Sequence, residues 1–96
     1  MKKFILLPIG HEDHSPEVMA KWGAWFGSIS KHIVDSGNPF MPGKEVSKAG
    51  IKDMPYGDNC NNGYTIINAE NMDEALEIAS SCPYSTAIRV YEAIAI

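Results

Sequence analysis

Residues 15–37 constrain the fold most, because they place both tryptophans on one predicted helical stripe. Ser15 can cap a helix, Pro16 suits its first position, and Glu17 is favourable at the positive end of the helix dipole. Gly37 can end the helix in the left-handed conformation. An apolar stripe recurs at steps of three and four, formed by Val18, Trp22, Trp25, Phe26, Ile29 and Ile33. Such an aromatic stripe needs a broad apolar surface to cover, which a β-sheet supplies.

The remaining segments supply the strands of that sheet. Residues 3–9 predict a strand that is apolar on both faces, and residues 44–53 predict a more polar edge strand. Residues 64–69 and 87–96 predict the third and fourth strands. A second helix begins at the cap Asn71 and ends before Pro83, with Ala75, Ile78, Ala79 and Cys82 as its buried stripe.

The element order is therefore β-α-β-β-α-β, which predicts one α+β domain over residues 1–96. We expect a ferredoxin-like sandwich, with a four-stranded antiparallel sheet and two helices on one face. Two helices can cover one face only, whereas several strands are apolar on both faces. A two-fold homodimer in which the open sheet faces stack would cover the remainder, and it would enclose space for a small ligand.

Net charge argues against several classes of partner, and the cysteines indicate the compartment. Eight Lys and Arg against twelve Asp and Glu give a net charge of −4, which argues against nucleic acid and anionic membranes. Cys60 and Cys82 form no C-x-x-C pair; a disulfide between them is possible, but isolated thiols are more typical of a reducing cytosol. The apolar run 4–7 is too short for a signal peptide and is broken by Pro8. We expect a cytoplasmic protein without a membrane span.

Several short motifs follow one another over nearly the whole chain. They lie at residues 15–17, 21–25, 34–40, 53–56 (Asp-Met-Pro-Tyr), 63–67, 73–79 and 82–83. In this order and spacing the chain resembles the YCII-related family of dimeric α+β barrels, including its DGPF branch. The resemblance implies the same β-α-β-β-α-β fold and sheet-to-sheet dimer. It also implies a cleft beside the sheet, roofed by the first helix and the loops.

The resemblance does not carry over a catalytic pair. The YciI-like branch has a His on the first helix and an Asp before a Pro-aromatic pair. Here Lys21 or Trp22 lies near the His position, and Cys82 precedes Pro83 where the Asp would be. Met54 also replaces the signature glycine. Acid–base chemistry performed by relatives is therefore not implied for this chain.

Two residues are the candidates if the protein is catalytic. His32 can act as a base oriented by Asp35 or Asp53, with His11 at the pocket mouth. The alternative for His32 is a half-buried position near a helix C-terminus, where the dipole favours its charge. The alternative for Asp53 is a hydrogen bond to its own backbone in a Pro-containing turn.

Aromatic residues are the candidates for ligand binding, namely Trp22, Trp25, Tyr56 and Tyr64, together with His11. The alternative for the tryptophans is an ordinary core stripe. The run His11-Glu12-Asp13-His14 has metal-ligand chemistry, but it lies on a predicted loop and lacks a third ligand set. We expect neither a metal nor a cofactor, and no pattern indicates a nucleotide.

Taken together, these features predict a homodimer that binds an unknown small molecule in its cleft. If it is an enzyme, the reaction is of the elimination or isomerisation kind. The alternatives are a non-catalytic sensor or regulatory module, and an interaction domain without a ligand.

Overall fold

The computed structural model describes residues 1–11 and 14–96. The elements in chain order are β1 (Lys2–Ile9), α1 (Pro16–Ser28), a 3₁₀ turn (Ser30–His32), β2 (Ile33–Asp35), β3 (Gly43–Ser47), β4 (Gly50–Met54), β5 (Thr65–Ala69), α2 (Met72–Ser80) and β6 (Ala87–Ala93). An antiparallel sheet has the order β2-β5-β1-β6, and β3 and β4 form a separate hairpin. This α+β arrangement, with a four-stranded antiparallel sheet and two helices, is compatible with a ferredoxin-like fold.

The core lies between one face of the sheet and both helices. Phe4 and Leu6 of β1 and Ile67 of β5 are fully buried on this face. Their helical partners in the same cluster are Trp25 and Ile29 from the first helical segment, and Ala75, Ile78 and Ala79 from α2. Each large side chain buried in this way stabilises the fold by about 1.5–3 kcal/mol. The expected placement of two helices on one face is confirmed.

Helix α1 begins as expected but is shorter than the sequence predicts. Ser15 caps it by accepting a hydrogen bond from Val18 N at 3.3 Å. The helix ends at Ser28, whose hydroxyl donates to the Trp25 carbonyl at 2.7 Å, and the chain then enters the 3₁₀ turn. The predicted continuation to Gly37 is therefore wrong. Ile33 belongs to β2 instead, where a β-branched side chain packs well on the pleated sheet.

The predicted edge strand over residues 44–53 is also wrong. This segment folds back on itself as the hairpin β3–β4, with Val46 opposite Ile51. The reversal uses Gly50 at φ +124°, a backbone conformation that glycine adopts without a steric penalty. The edge strand of the four-stranded sheet, next to β5, is instead the three-residue β2. The other predicted strands are confirmed, except that the last strand ends at Ala93.

The second helix begins and is buried as predicted. Asn71 Oδ1 accepts a hydrogen bond from Glu74 N at 2.9 Å, which caps α2. The Glu74 carboxylate accepts in turn from Glu70 N at 3.0 Å, so both side chains satisfy free N–H groups near the helix start. Among the described residues, no helix combines the length and apolarity that crossing a membrane requires.

The other face of the sheet has an apolar centre. Paired residues on antiparallel strands share a face, and Ile5 lies opposite both Ile66 and Tyr91. Ile5, Leu7 and Ile66 are half-buried, and Tyr91 is 55% exposed. The molecule measures 41 × 39 × 18 Å, a thickness that fits one sheet and one helical layer. The elements of residues 1–11 and 14–96 supply no second layer for this face.

The turn at Gly37 yields a test of the fold. Gly37 has φ +77°, and a Cβ there would overlap the carbonyl oxygen of Tyr64. We expect Gly37→Ala to lower the free energy of unfolding by about 2 kcal/mol or more. A Cβ added at Gly23, inside α1, would meet no described residue of another element within 4 Å. Gly23→Ala is expected to raise the same free energy by about 0.5–1 kcal/mol. Urea denaturation of both variants measures the effects, and shifts of the same sign would contradict the described turn.

Candidate functional site: a cleft beside the first helix

A cleft of about 110 Å³ lies between α1 and two other segments, one directly after β2 and one that leads into β5. One wall comes from α1, and the other comes from residues 36–39 and 62–65. Its lining residues are Pro8, His14, Met19, Trp22, Phe26, Ser36, Gly37, Asn38, Pro39, Asn62, Gly63, Tyr64 and Thr65. Most of this surface is apolar, so the cleft suits an apolar ligand group.

The helical wall is built by residue spacing. Met19, Trp22 and Phe26 lie three and four residues apart, so they share one face of α1. Trp22 meets Trp25 edge to face, with ring centroids 5.6 Å apart and planes at 88°. It also lies 6.1 Å from the Phe26 ring. These contacts fix the orientation of the Trp22 indole, so the wall is preorganised.

The opposite wall is fixed by Tyr64. Its ring stacks on Phe40 with centroids 5.8 Å apart, and its hydroxyl donates to Asp35 Oδ2 at 3.4 Å. The Asp35 carboxylate also accepts from Gly37 N at 2.8 Å, which holds the turn in place. The close approach of Gly37 to the Tyr64 backbone brings both residues to the same wall.

Two of the described lining residues are buried and polar, Thr65 and Asn62. The Thr65 hydroxyl donates to Ser36 O at 3.1 Å. Asn62 has 6% of its surface exposed. Its Nδ2 donates to Gly10 O, its N–H donates to Pro8 O at 3.0 Å, and its carbonyl accepts from Phe40 N at 2.9 Å. Its Oδ1 accepts no hydrogen bond from the described residues. A buried acceptor without a donor costs about 1–3 kcal/mol, so any group that donates a hydrogen bond to this oxygen would stabilise the site.

A second, more polar groove of about 370 Å³ lies where the hairpin leaves the body. Tyr56 lines it, and the Tyr56 hydroxyl donates to Phe40 O at 2.8 Å. His11 packs edge-on against Tyr56, with ring centroids 5.6 Å apart. Met41, which also lines this groove, is 81% exposed. Its walls are therefore less buried than those of the first cleft.

The predicted ligand-binding residues fall in three places. Trp22 and Tyr64 line the first cleft on opposite walls. Tyr56 lines the second groove, with His11 against it. Trp25 lies in the core, where its indole N–H donates to Ile78 O at 3.2 Å and to Ser81 Oγ at 3.0 Å.

The predicted acid–base candidates have separate partners. His32 Nδ1 lies 3.0 Å from Asn68 O, and it donates because a carbonyl only accepts. Asp53 lies on the exposed hairpin, where Lys44 Nζ is 2.6 Å from its carboxylate. The hydrogen bond of His32 thus goes to the sheet rather than to Asp35 or Asp53. The dyad therefore stays a prediction without a supporting contact.

The possible metal ligands are only partly visible. Among the described residues, no group of three or more His, Cys, Asp or Glu side chains could hold a metal ion. His11 and His14 are among the described residues, and His14 lines the first cleft. Glu12 and Asp13, the other members of the predicted cluster, lie outside the described residues.

Comparison of the sequence with protein-family models and with curated proteins gives no match. The resemblance to the YCII-related family therefore rests on the motifs in the sequence.

The His32 contact yields a test of its role. We expect His32→Leu to lower the free energy of unfolding by about 1 kcal/mol, because the Asn68 carbonyl loses its side-chain donor. His32→Asn, whose amide can donate from a similar position, should retain most of the stability. Urea denaturation compares the two variants. Equal stability of both variants and the wild type would show that this hydrogen bond has no structural role.

Proposed function

We propose that this protein binds a small organic molecule, inserting one apolar ring of it into the cleft beside α1. In this proposal the protein is a cytoplasmic homodimer of the YCII-related type, with the dimeric α+β barrel architecture. The observation that carries the proposal is the pairing of aromatic walls with a buried, half-satisfied amide at Asn62. Ligand sites commonly combine an apolar lining with a few polar groups that fix orientation.

The cleft volume limits the ligand. Apolar cavities of about 150 Å³ bind benzene. The cleft here, at about 110 Å³, suits a single small ring, and the rest of a larger ligand would extend through the mouth. Trp22 and Tyr64 on opposite walls favour a flat, apolar ring. Asn62 Oδ1 favours a ring that carries a hydrogen-bond donor.

The lining favours binding over acid–base catalysis. General acid–base chemistry needs positioned groups that exchange protons within hydrogen-bond reach of the reacting atoms. His14 and Tyr64 are the titratable side chains among the described lining residues. The Tyr64 hydroxyl is directed to Asp35, and His32 and Asp53 do not belong to the described lining. His14 has no hydrogen bond to another described lining residue that would orient it. We therefore favour a sensor or carrier over an elimination or isomerisation enzyme.

A matched pair of probes tests the ligand class. Phenol offers an O–H donor to Asn62, whereas anisole has the same ring with that donor replaced by a methyl ether. We expect phenol to bind about fivefold more tightly, the equivalent of one net hydrogen bond. A probe of seven heavy atoms should bind weakly, at about 1 mM, which suits NMR titration. Equal affinities would exclude the proposed role of Asn62.

A matched pair of variants tests the location. Met19 lines the cleft on α1, whereas Leu76 lies on α2 outside that lining; both are 48% exposed. We expect Met19→Lys to weaken phenol binding at least tenfold, because a charge would enter an apolar wall. Leu76→Lys should leave it unchanged. In the wild type, the Trp22 indole resonance should shift more than that of Trp25. Unchanged binding by Met19→Lys would place the ligand elsewhere.

The apolar open face supports the dimeric part of the proposal. We expect the wild type to have the mass of two chains in light scattering at micromolar concentration. Tyr91→Lys should raise the dimer dissociation constant at least tenfold, because it places a charge in the stacked faces. Tyr84→Lys, at an exposed tyrosine outside the sheet, serves as the control. A wild type with the mass of one chain would overturn the dimer, while the ligand tests would remain valid.

A further inference from the structure

Residues 43–54, called the arm from here on, form a hairpin that lies outside the main sheet. Every residue of the arm is exposed. Val46 and Ile51 face each other across its two strands, and their exposed fractions are 77% and 72%. Such a cross-strand pair stabilises the hairpin, and adjacent exposed apolar side chains are a candidate contact surface.

The arm has little internal support. A lone two-stranded hairpin is only marginally stable in water. The Lys44–Asp53 ion pair is exposed, so it contributes at most about 1 kcal/mol. Within the arm, the Val46–Ile51 contact is the remaining apolar contribution, and most of its surface faces solvent. A contact with another surface would supply the support that the arm lacks internally.

The accessible surface of the chain is large for its mass. The chain exposes 6468 Å², whereas a compact monomer of 10.5 kDa exposes about 5,400 Å². The excess of roughly 1,000 Å² shows an extended chain, which leaves available for association more than the roughly 800 Å² that one partner contributes to a standard interface. The radius of gyration is likewise 14.2 Å, against about 12.5 Å expected for this length.

Charge favours a second copy of this chain as the partner. The arm carries Lys44, Lys48 and Lys52 against Glu45 and Asp53, a net charge of +1. The rest of the chain has five basic and ten acidic residues, a net charge of −5. The arm of one copy is thus attracted to the body of another, which offsets part of the repulsion between two acidic chains.

We propose that the arm packs on a second copy of this chain, with the Val46–Ile51 pair at the centre of the contact. This inference rests on the dimer of the proposed function and extends it, since the open sheet face and the arm then both contribute to one interface. Each strand of the arm spans about 17 Å, and both lie outside the four-stranded sheet.

Two double variants separate the arm from the sheet face. Val46→Thr/Ile51→Thr keeps β-branched side chains, and therefore strand propensity, while it removes apolar surface. Glu45→Gln/Lys52→Gln changes the neighbouring cross-strand pair on the other side of the arm and serves as the control. By sedimentation, we expect the threonine variant to raise the dimer dissociation constant about tenfold. The control should stay within about twofold of the wild type.

Hydrogen exchange gives an independent readout. In the wild type, protection of the amides of residues 44–53 should rise with protein concentration, because the dimer would order the arm. A wild-type dimer whose affinity the threonine variant leaves unchanged would overturn the arm contact and leave the sheet-face dimer standing. Amide protection of residues 44–53 that does not depend on protein concentration would also overturn the arm contact and leave the sheet-face dimer standing. A monomeric wild type would overturn both, and the phenol titrations would still test the cleft.

Discussion

The contact on which the structure depends is the burial of the Trp25 indole between the two helices. Its N–H is shared by the Ile78 carbonyl and the Ser81 hydroxyl, 53 and 56 residues away in the chain. This bond links α1 to the end of α2, so both helices lie on the same face of the sheet. Because Trp25 points into the core, Trp22 lies one turn earlier at the margin of the core. The first cleft exists because one tryptophan fills the core and the other borders it.

The fold was predictable where local sequence signals agreed with tertiary packing. It was not predictable where a residue matched the period of one element but belonged to the next. Ser15, Asn71 and the alternating strands each specify one local structure. Ile29 and Ile33 continue the helical period of α1, yet Ile33 contributes to β2. The helix ends at Ser28 and a 3₁₀ turn follows, a change that periodicity does not reveal. Residues 44–53 likewise have too few apolar positions to distinguish one edge strand from a hairpin.

The candidate site shows the same division between residue type and placement. Aromatic character selected Trp22, Trp25, Tyr56 and Tyr64 alike. The structure places Trp22 and Tyr64 at the first cleft, Tyr56 at the second groove and Trp25 in the core. Asn62 was visible only as part of an Asn-Gly turn, because its burial depends on the distant backbone of Gly10 and Pro8. His32 was predicted to be a base oriented by Asp35 or Asp53, because it lies near the apolar stripe of the predicted first helix. Because the chain enters β2 directly after His32, the His32 imidazole hydrogen-bonds to the Asn68 carbonyl in the sheet. The Asp53 carboxylate lies on the hairpin instead.

The segment between β2 and β5 joins the two surfaces for which we propose partners. Its two ends, near Gly37 and Tyr64, meet at one wall of the first cleft, and its middle forms the arm. The stacked rings of Phe40 and Tyr64 connect these parts, since Phe40 also lines the groove at the base of the arm. A contact that orders the arm therefore acts on the same backbone that fixes the cleft wall. Ligand binding and self-association would then be thermodynamically coupled, each changing the equilibrium constant of the other by the same factor through this one segment.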